Sequence, residues 1–214
     1  MRKKFLFIFL FCSSLILSGC AEPPNPKLNL NYQLEKPTEK VYQVKSGQKV
    51  HVTVKDQRDA PDPGIVFYPN PNGYFEYMGR YYLAEKPVAD ITKEAINSGL
   101  QQMNFQITDD INAKYHFYCD IKGVYPKPKS KFSSVSLVVK IHTTCYLIDE
   151  ENRKIIWKED VEGEGLDEDV KQPFFPIGEL DENEGGKAFN LALTNLVRNI
   201  QNSNLFKEKI ANIN

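Results

Sequence analysis

Histidine and tryptophan are scarce in this 214-residue chain, at three and one, and cysteine occurs four times. No apolar run reaches the roughly 20 residues that a helix needs to cross a bilayer, so a multi-pass membrane protein is excluded. The chain has no Gly-x-Ser-x-Gly, no Gly-rich phosphate loop, no His-Glu-x-x-His, no Rossmann glycine pattern and no Cys-x-x-Cys. The enzyme classes built on those motifs therefore have no footing here, and a non-enzyme is expected. Nor is there an excess of one charge: 27 Lys+Arg against 28 Asp+Glu leave a net −1, with no global attraction for nucleic acid. What is present is ordinary globular composition, 41% hydrophobic and 26% charged. That excludes disordered and collagen-like chains and is enough for one domain with a core.

The first twenty residues are unlike the rest. Arg2, Lys3 and Lys4 precede an apolar run from Phe5 to Phe11, continued by Leu15, Ile16 and Leu17. This is the layout of a secretory signal. It ends in Leu17-Ser18-Gly19-Cys20, which closely resembles the lipobox of bacterial lipoproteins: an apolar residue, two small ones, then the cysteine that becomes the mature N-terminus. The resemblance implies a diacylglycerol on the Cys20 thiol, cleavage before Cys20, and acylation (palmitate or a similar chain) of the new amine. Two or more acyl chains hold a protein stably on a bilayer. Residue 21 is Ala rather than the Asp that retains such lipoproteins in the inner membrane. The implied address is the outer membrane of a Gram-negative-type bacterium, with the domain facing the periplasm. The leader removes three basic and no acidic residues, so the mature chain carries a net −4.

The chain divides into a signal over 1–19, a lipidated Cys20 with a flexible tether over 20–47, and one domain over 48–214. The tether is polar and holds Pro23, Pro24, Pro26 and Pro37, although Tyr32, Leu34, Val41 and Tyr42 could dock part of it. As a flexible coil it would reach roughly 30 Å. In the domain, Val50, Val52 and Val54 alternate with polar residues as in a half-buried strand. Pro61, Pro63, Pro69 and Pro71 then interrupt, and Phe75–Leu83 reads as a second strand or hairpin. Pro87 opens a helix with a Val88, Ile91, Ala95, Ile96, Leu100, Met103 stripe; Gly99 weakens it by about 1 kcal/mol and Asn104 closes it. Strands follow over 114–125, 135–148 and 154–161, with Pro126 and Pro128 in the first connection, and an irregular acidic stretch runs on to about Glu184. Phe189, Ala192, Leu193, Leu196, Val197 and Ile200 form the cleanest helical period, and Leu205, Phe206 and Ile210 a short terminal element. The expected fold class is α+β, two-layer, a mainly antiparallel sheet with two amphipathic helices on one face.

The lipobox, the Val-rich strand ending in Asp56-x-Arg58, the helix closing before Phe105-x-Ile107, the strand meander and the last helix before Leu205-Phe206 together resemble the YajG-type lipoproteins. The likeness covers roughly 48–107 and 114–210. The chain departs from that pattern at Asn104, where a Gly-aromatic pair is usual, and by insertions at 60–80 and 162–184. The resemblance implies an outer-membrane lipoprotein with no assigned reaction and no catalytic residue.

Several side-chain groups remain. With Cys12 in the leader and Cys20 lipidated, Cys119 and Cys145 are left at core-facing positions of adjacent strands. They either bridge, closing a loop worth roughly 3 kcal/mol, or stay as two buried thiols. His51, His116 and His142 share polar parity on their strands and read as exposed residues rather than as metal ligands. Asp56 and Arg58 read as a surface ion pair worth under about 1 kcal/mol. Eleven carboxylates between Glu159 and Glu184 lack a calcium-loop spacing and read as a solvated acidic loop. Phe67, Tyr68, Tyr74, Phe75, Tyr77, Tyr81 and Tyr82 place seven aromatics in sixteen residues. This insertion either packs its own rings on the sheet or offers a surface for protein or glycan. No cofactor or metal is expected beyond the lipid on Cys20. The expected role is a non-catalytic lipoprotein that binds or scaffolds an unknown envelope protein or glycan. The alternatives are an accessory subunit of a large envelope machine (flagellar, secretion or cell-wall assembly) and an envelope-polymer hydrolase.

Overall fold

A computed structural model describes residues 27–30, 32, 40–44, 47–67, 81–130, 135–168 and 182–213. Cys20 and the aromatic positions Tyr68, Tyr74, Phe75 and Tyr77 lie outside the described residues. The elements in chain order are β1 (Lys49–Asp56), β2 (Ile65–Phe67), β3 (Tyr82–Leu83), α1 (Val88–Gln102), β4 (Gln106–Thr108), β5 (Tyr115–Ser130), β6 (Val135–Asp149), β7 (Lys154–Asp167), α2 (Glu182–Asn202) and α3 (Asn204–Ile210). Five strands form one sheet in the order β4-β1-β5-β6-β7, and β2 with β3 makes a small ribbon. β5, β6 and β7 are an antiparallel meander, as expected. β1 runs parallel to both β4 and β5, so the α+β sheet is mixed at one edge. The β1–β4 pairing follows from α1, whose crossover returns the chain to the end of the sheet where β1 began. Residues 109–114 bring the chain back to that end for β5, whose Tyr115 pairs with Val50. Among the described residues no helix is long and apolar enough to cross a membrane.

Period-two burial drives the strands. Leu137, Val139, Ile141, Thr143, Cys145 and Leu147 of β6 are all buried beneath the helices. α1 buries Val88, Ile91, Ala95, Ile96 and Leu100. Asn104 adopts φ 70, the left-handed close expected of it, and its amide donates to Val44 O at 3.1 Å. Gly99 has a packing role that its helix cost conceals: a Cβ there would lie 2.3 Å from Val197 Cγ1 of α2. α3 starts at Ser203, whose Oγ accepts from Phe206 N, and it seats Phe206 4.6 Å from the Trp157 ring.

Four local expectations change. β7 continues to Asp167 rather than stopping near Val161. The Glu-Gly-Glu-Gly run is not an irregular loop but a strand, with Gly163 and Gly165 buried toward the helices and Glu162 and Glu164 exposed. The glycines face inward because α2 lies directly on the strand backbone. α2 also covers this sheet edge: Asn195 and Asn199, one turn apart, donate to Glu164 O at 2.6 Å and Glu162 O at 2.7 Å.

Second, Pro126 and Pro128 lie inside β5 rather than in a connection. They are tolerated because β1 ends at Asp56, opposite Ile121, and the rest of β5 bonds only to β6. Third, the Asp56–Arg58 pair is not a surface pair. The Arg58 side chain is fully buried; Nε and NH2 bind Asp56 at 2.9 and 2.6 Å, and NH1 and NH2 donate to Val66 O and Ile65 O at 2.9 and 2.8 Å. The pair clamps β2 onto the end of β1.

Fourth, part of the 20–47 segment belongs to the folded body. Leu28 and Val44 are buried in the core; Leu28 N donates to Leu83 O and Val44 N to Met103 O. Leu28 sits at Gly185, and Gly186 faces Asn29 O, where an added Cβ would lie at 2.4 Å. The N-terminal segment therefore crosses the start of α2 and is joined to the β2–β3 ribbon.

Candidate functional site

The helices cover one face of the sheet, and the opposite face carries the polar parity of β1, β5 and β6. His51 pairs in register with His116, Tyr118 lies opposite Tyr146, and Asp120 lies opposite Thr144. The rings form a continuous strip. His51 and His116 stand 5.0 Å apart, His116 and Tyr118 5.7 Å, and Tyr118 and Tyr146 stack at 5.6 Å with planes 23° apart.

Hydrogen bonds hold the strip in place. Tyr146 donates to Asp120 Oδ2 at 3.0 Å, and Tyr118 faces Glu150 Oε1 at 3.4 Å. His116 Nδ1 lies 3.1 Å from the Tyr118 hydroxyl, and His51 Nδ1 3.2 Å from Thr108 O. Thr144 donates to Asp160 at 2.6 Å. His116 is buried rather than exposed, and its Nε2 has no partner among the described residues. His142 stands apart from the other two, against the edge of Tyr125 at 5.1 Å. No group of three or more metal-ligating side chains occurs among the described residues.

Burial, followed by the neighbouring Asp120 carboxylate, pushes the Tyr146 hydroxyl up to about 12. Burial and Glu150 raise Tyr118 as well. Burial also lifts Tyr32, at the N-terminal segment, to about 12. Both tyrosines at about 12 hold their protons above the ordinary value of about 10 that an unfolded tyrosine keeps. Between these values the native state binds more protons, so stability is complete below about pH 10 and falls as pH rises toward 12. Thermal unfolding followed from pH 8 upward should show this decline, and it should be shallower in Tyr146→Phe. An unchanged slope in that variant would remove Tyr146 from the account.

The strip offers flat rings whose hydroxyl protons are already committed, Tyr146 to Asp120, Tyr118 to Glu150 and Thr144 to Asp160. Such a surface suits contact: stacking on the Tyr118–Tyr146 faces and hydrogen bonds accepted by the fixed hydroxyl oxygens.

Cys119 and Cys145 lie directly opposite each other, under the helices, as two free and fully buried thiols. Burial raises Cys145 well above its usual value, so its thiol resists becoming the reactive thiolate. Both cysteines are expected to resist alkylation in the native protein and to react after denaturation, as read by peptide mass. Failure to react after denaturation would show that the two have bridged.

Of the aromatic insertion, Tyr81 is half-buried, whereas Tyr82 is 1% exposed and packs on Phe67 at 5.9 Å. Tyr82 is thus a core residue rather than part of an interaction surface. Sequence reasoning overlooked the Tyr118–Tyr146 strip. Its signal was present in the polar parity of β5 and β6, but stacking requires a register that sequence does not carry.

No protein-family model matches the chain, and no curated protein is found to match it. A DUF330-family protein from Xanthomonas campestris superposes with a TM-score of 0.51 at 14% identity, over 87% of this chain and 95% of that one. The two share a fold. A minor lipoprotein from Acinetobacter baumannii gives 0.40 at 9% identity, over 77% and 91% of the two chains. The PelC dodecamer from Paraburkholderia phytofirmans gives 0.39 at 12%, over 75% and 88%.

Proposed function

We propose that this protein is a non-catalytic lipoprotein of the YajG type, anchored through acylated Cys20 in the outer membrane, whose periplasmic domain binds an envelope protein or glycan. The observation that carries the anchoring is Leu17-Ser18-Gly19-Cys20 behind a basic and apolar leader. Binding rests on the open sheet face, where Tyr118 and Tyr146 present stacked rings beside Thr144, His51 and the buried His116. Stacked tyrosines suit a sugar ring or an extended peptide, because they offer area with a polar tip.

Growth with labelled palmitate tests the anchor. Label and the intact mass of a lipidated Cys20 N-terminus are expected in the membrane fraction. Both should vanish in Cys20→Ala; a variant that stays labelled overturns the reading. Photocrosslinking from position 144, on the strip, tests binding, with position 154 at the far end of the sheet as the comparison.

A further inference from the structure

We propose that the end of the sheet at which β1 stops rests on the bilayer, with the extended β5–β6 arm applying its lysines to anionic lipid headgroups. The proposal rests on Cys20 being the lipid anchor. Its first support is distance. Seven residue steps separate Cys20 from Lys27, where the chain joins the β2–β3 ribbon through Leu83. Fully extended, they reach at most about 25 Å. The point at which the body is held to the membrane is thus set by Lys27 and not by Gln48.

Register places the arm at the same level. Past Asp56, β5 continues with β6 alone. Lys127 pairs with Val138, and Val138 with Leu166. The adjacent Gly165 meets the backbone of Ala188, and Gly186 of the same helix meets Asn29. The N-terminal segment and Lys127 therefore lie at one height along the strands, at the same end of the molecule. The opposite end carries the first residues of β1 and β7, Lys49 and Lys154.

Charge supplies the second support. From Lys122 to Ile148 the chain holds five lysines and no acidic residue. Of the 27 basic residues, three lie in the leader and five in this arm, whereas all 28 acidic residues lie elsewhere. The basic arm lies beside the entry of the anchor, and the neighbouring β7 brings the exposed Glu162, Glu164 and Glu168 to the same end, where Glu164 takes up Lys140 at 2.8 Å. Lys127 and Lys129 are exposed on the same face of the arm as the exposed Tyr125, and neither meets a carboxylate among the described residues. A lysine close to an anionic surface contributes about 1 kcal/mol, lost with salt. Once the anchor holds the arm near the bilayer, two or more such contacts suffice to set orientation.

The experiment uses the acylated full-length product, added to preformed vesicles of phosphatidylethanolamine with phosphatidylglycerol, or of phosphatidylcholine alone. A membrane-impermeant acetylating reagent then reports lysine exposure by peptide mass. Lys127 and Lys129 are expected to react about threefold or more slowly on the anionic vesicles. The difference should close at about 0.5 M salt, while Lys49 and Lys154 react alike throughout. Equal rates on both lipids would overturn the proposal, as would slowing at Lys49 and Lys154 instead. If the arm serves an acidic protein rather than lipid, the vesicles leave Lys127 and Lys129 unprotected. Intact mass separates the two failures: acyl chains present with unprotected lysines overturn only the orientation, and absent acyl chains overturn the anchor as well.

Discussion

Replacing Gly165 with alanine is expected to destabilise the protein by about 3 kcal/mol or more, near the upper end for single substitutions. A Cβ at Gly165 would lie 2.0 Å from Ala188 O and 2.4 Å from Ala192 N. Both atoms belong to the backbone of α2, so no side-chain rotation relieves the overlap. The helix must lift from β7, and with it the Asn195 and Asn199 bonds that cover the strand edge. Gly163→Ala meets Ala192 O at 2.1 Å and should behave alike. In a domain of this size the loss corresponds to a fall in unfolding midpoint of roughly 10 °C. Glu164→Ala, between the two glycines, removes only the exposed pair with Lys140 and should cost under about 1 kcal/mol. A Gly165→Ala protein as stable as the parent would mean that α2 does not lie on β7 as described.

Arg58→Ala is expected to cost about 3–5 kcal/mol, the range for breaking a buried ion pair from one side. The guanidinium satisfies Asp56 and two carbonyls, Ile65 O and Val66 O, from a fully buried position. Its loss leaves a 13%-exposed carboxylate and two inward-facing acceptors without their donor. Arg58→Lys keeps the charge but not the planar fork, and should recover only a minor part. Chemical denaturation measures both; equal stability of Arg58→Lys and the parent would reduce the clamp to a simple charge contact. The fold assigns the Asp56-x-Arg58 motif this work of holding β2, and no ligand contact is required to explain it.

Much of the architecture was legible from residue order. The apolar period of Phe189 to Ile200, the Val-rich β1, the alternation in β6 and the left-handed close at Asn104 are local patterns, and each formed as its spacing implied. Patterns whose meaning depends on a neighbour were not legible. Gly163 and Gly165 resemble loop residues until a helix backbone occupies the space their missing Cβ leaves. Pro126 and Pro128 resemble breaks until β5 is seen to outrun β1 and bond on one side only. Arg58 looks like a surface charge until the β2 carbonyls close over it.

The α+β class and the core-facing parity of Cys119 and Cys145 were fixed by residue order alone, because each is written in a short, regular period. Only the tertiary structure decided that Leu28 and Val44 join the core, that Tyr118 stacks on Tyr146, and that the basic arm and the N-terminal entry share one end of the molecule. Those relations join residues far apart in the chain. Strand register and helix seating set them, and both arise from packing rather than from local preference.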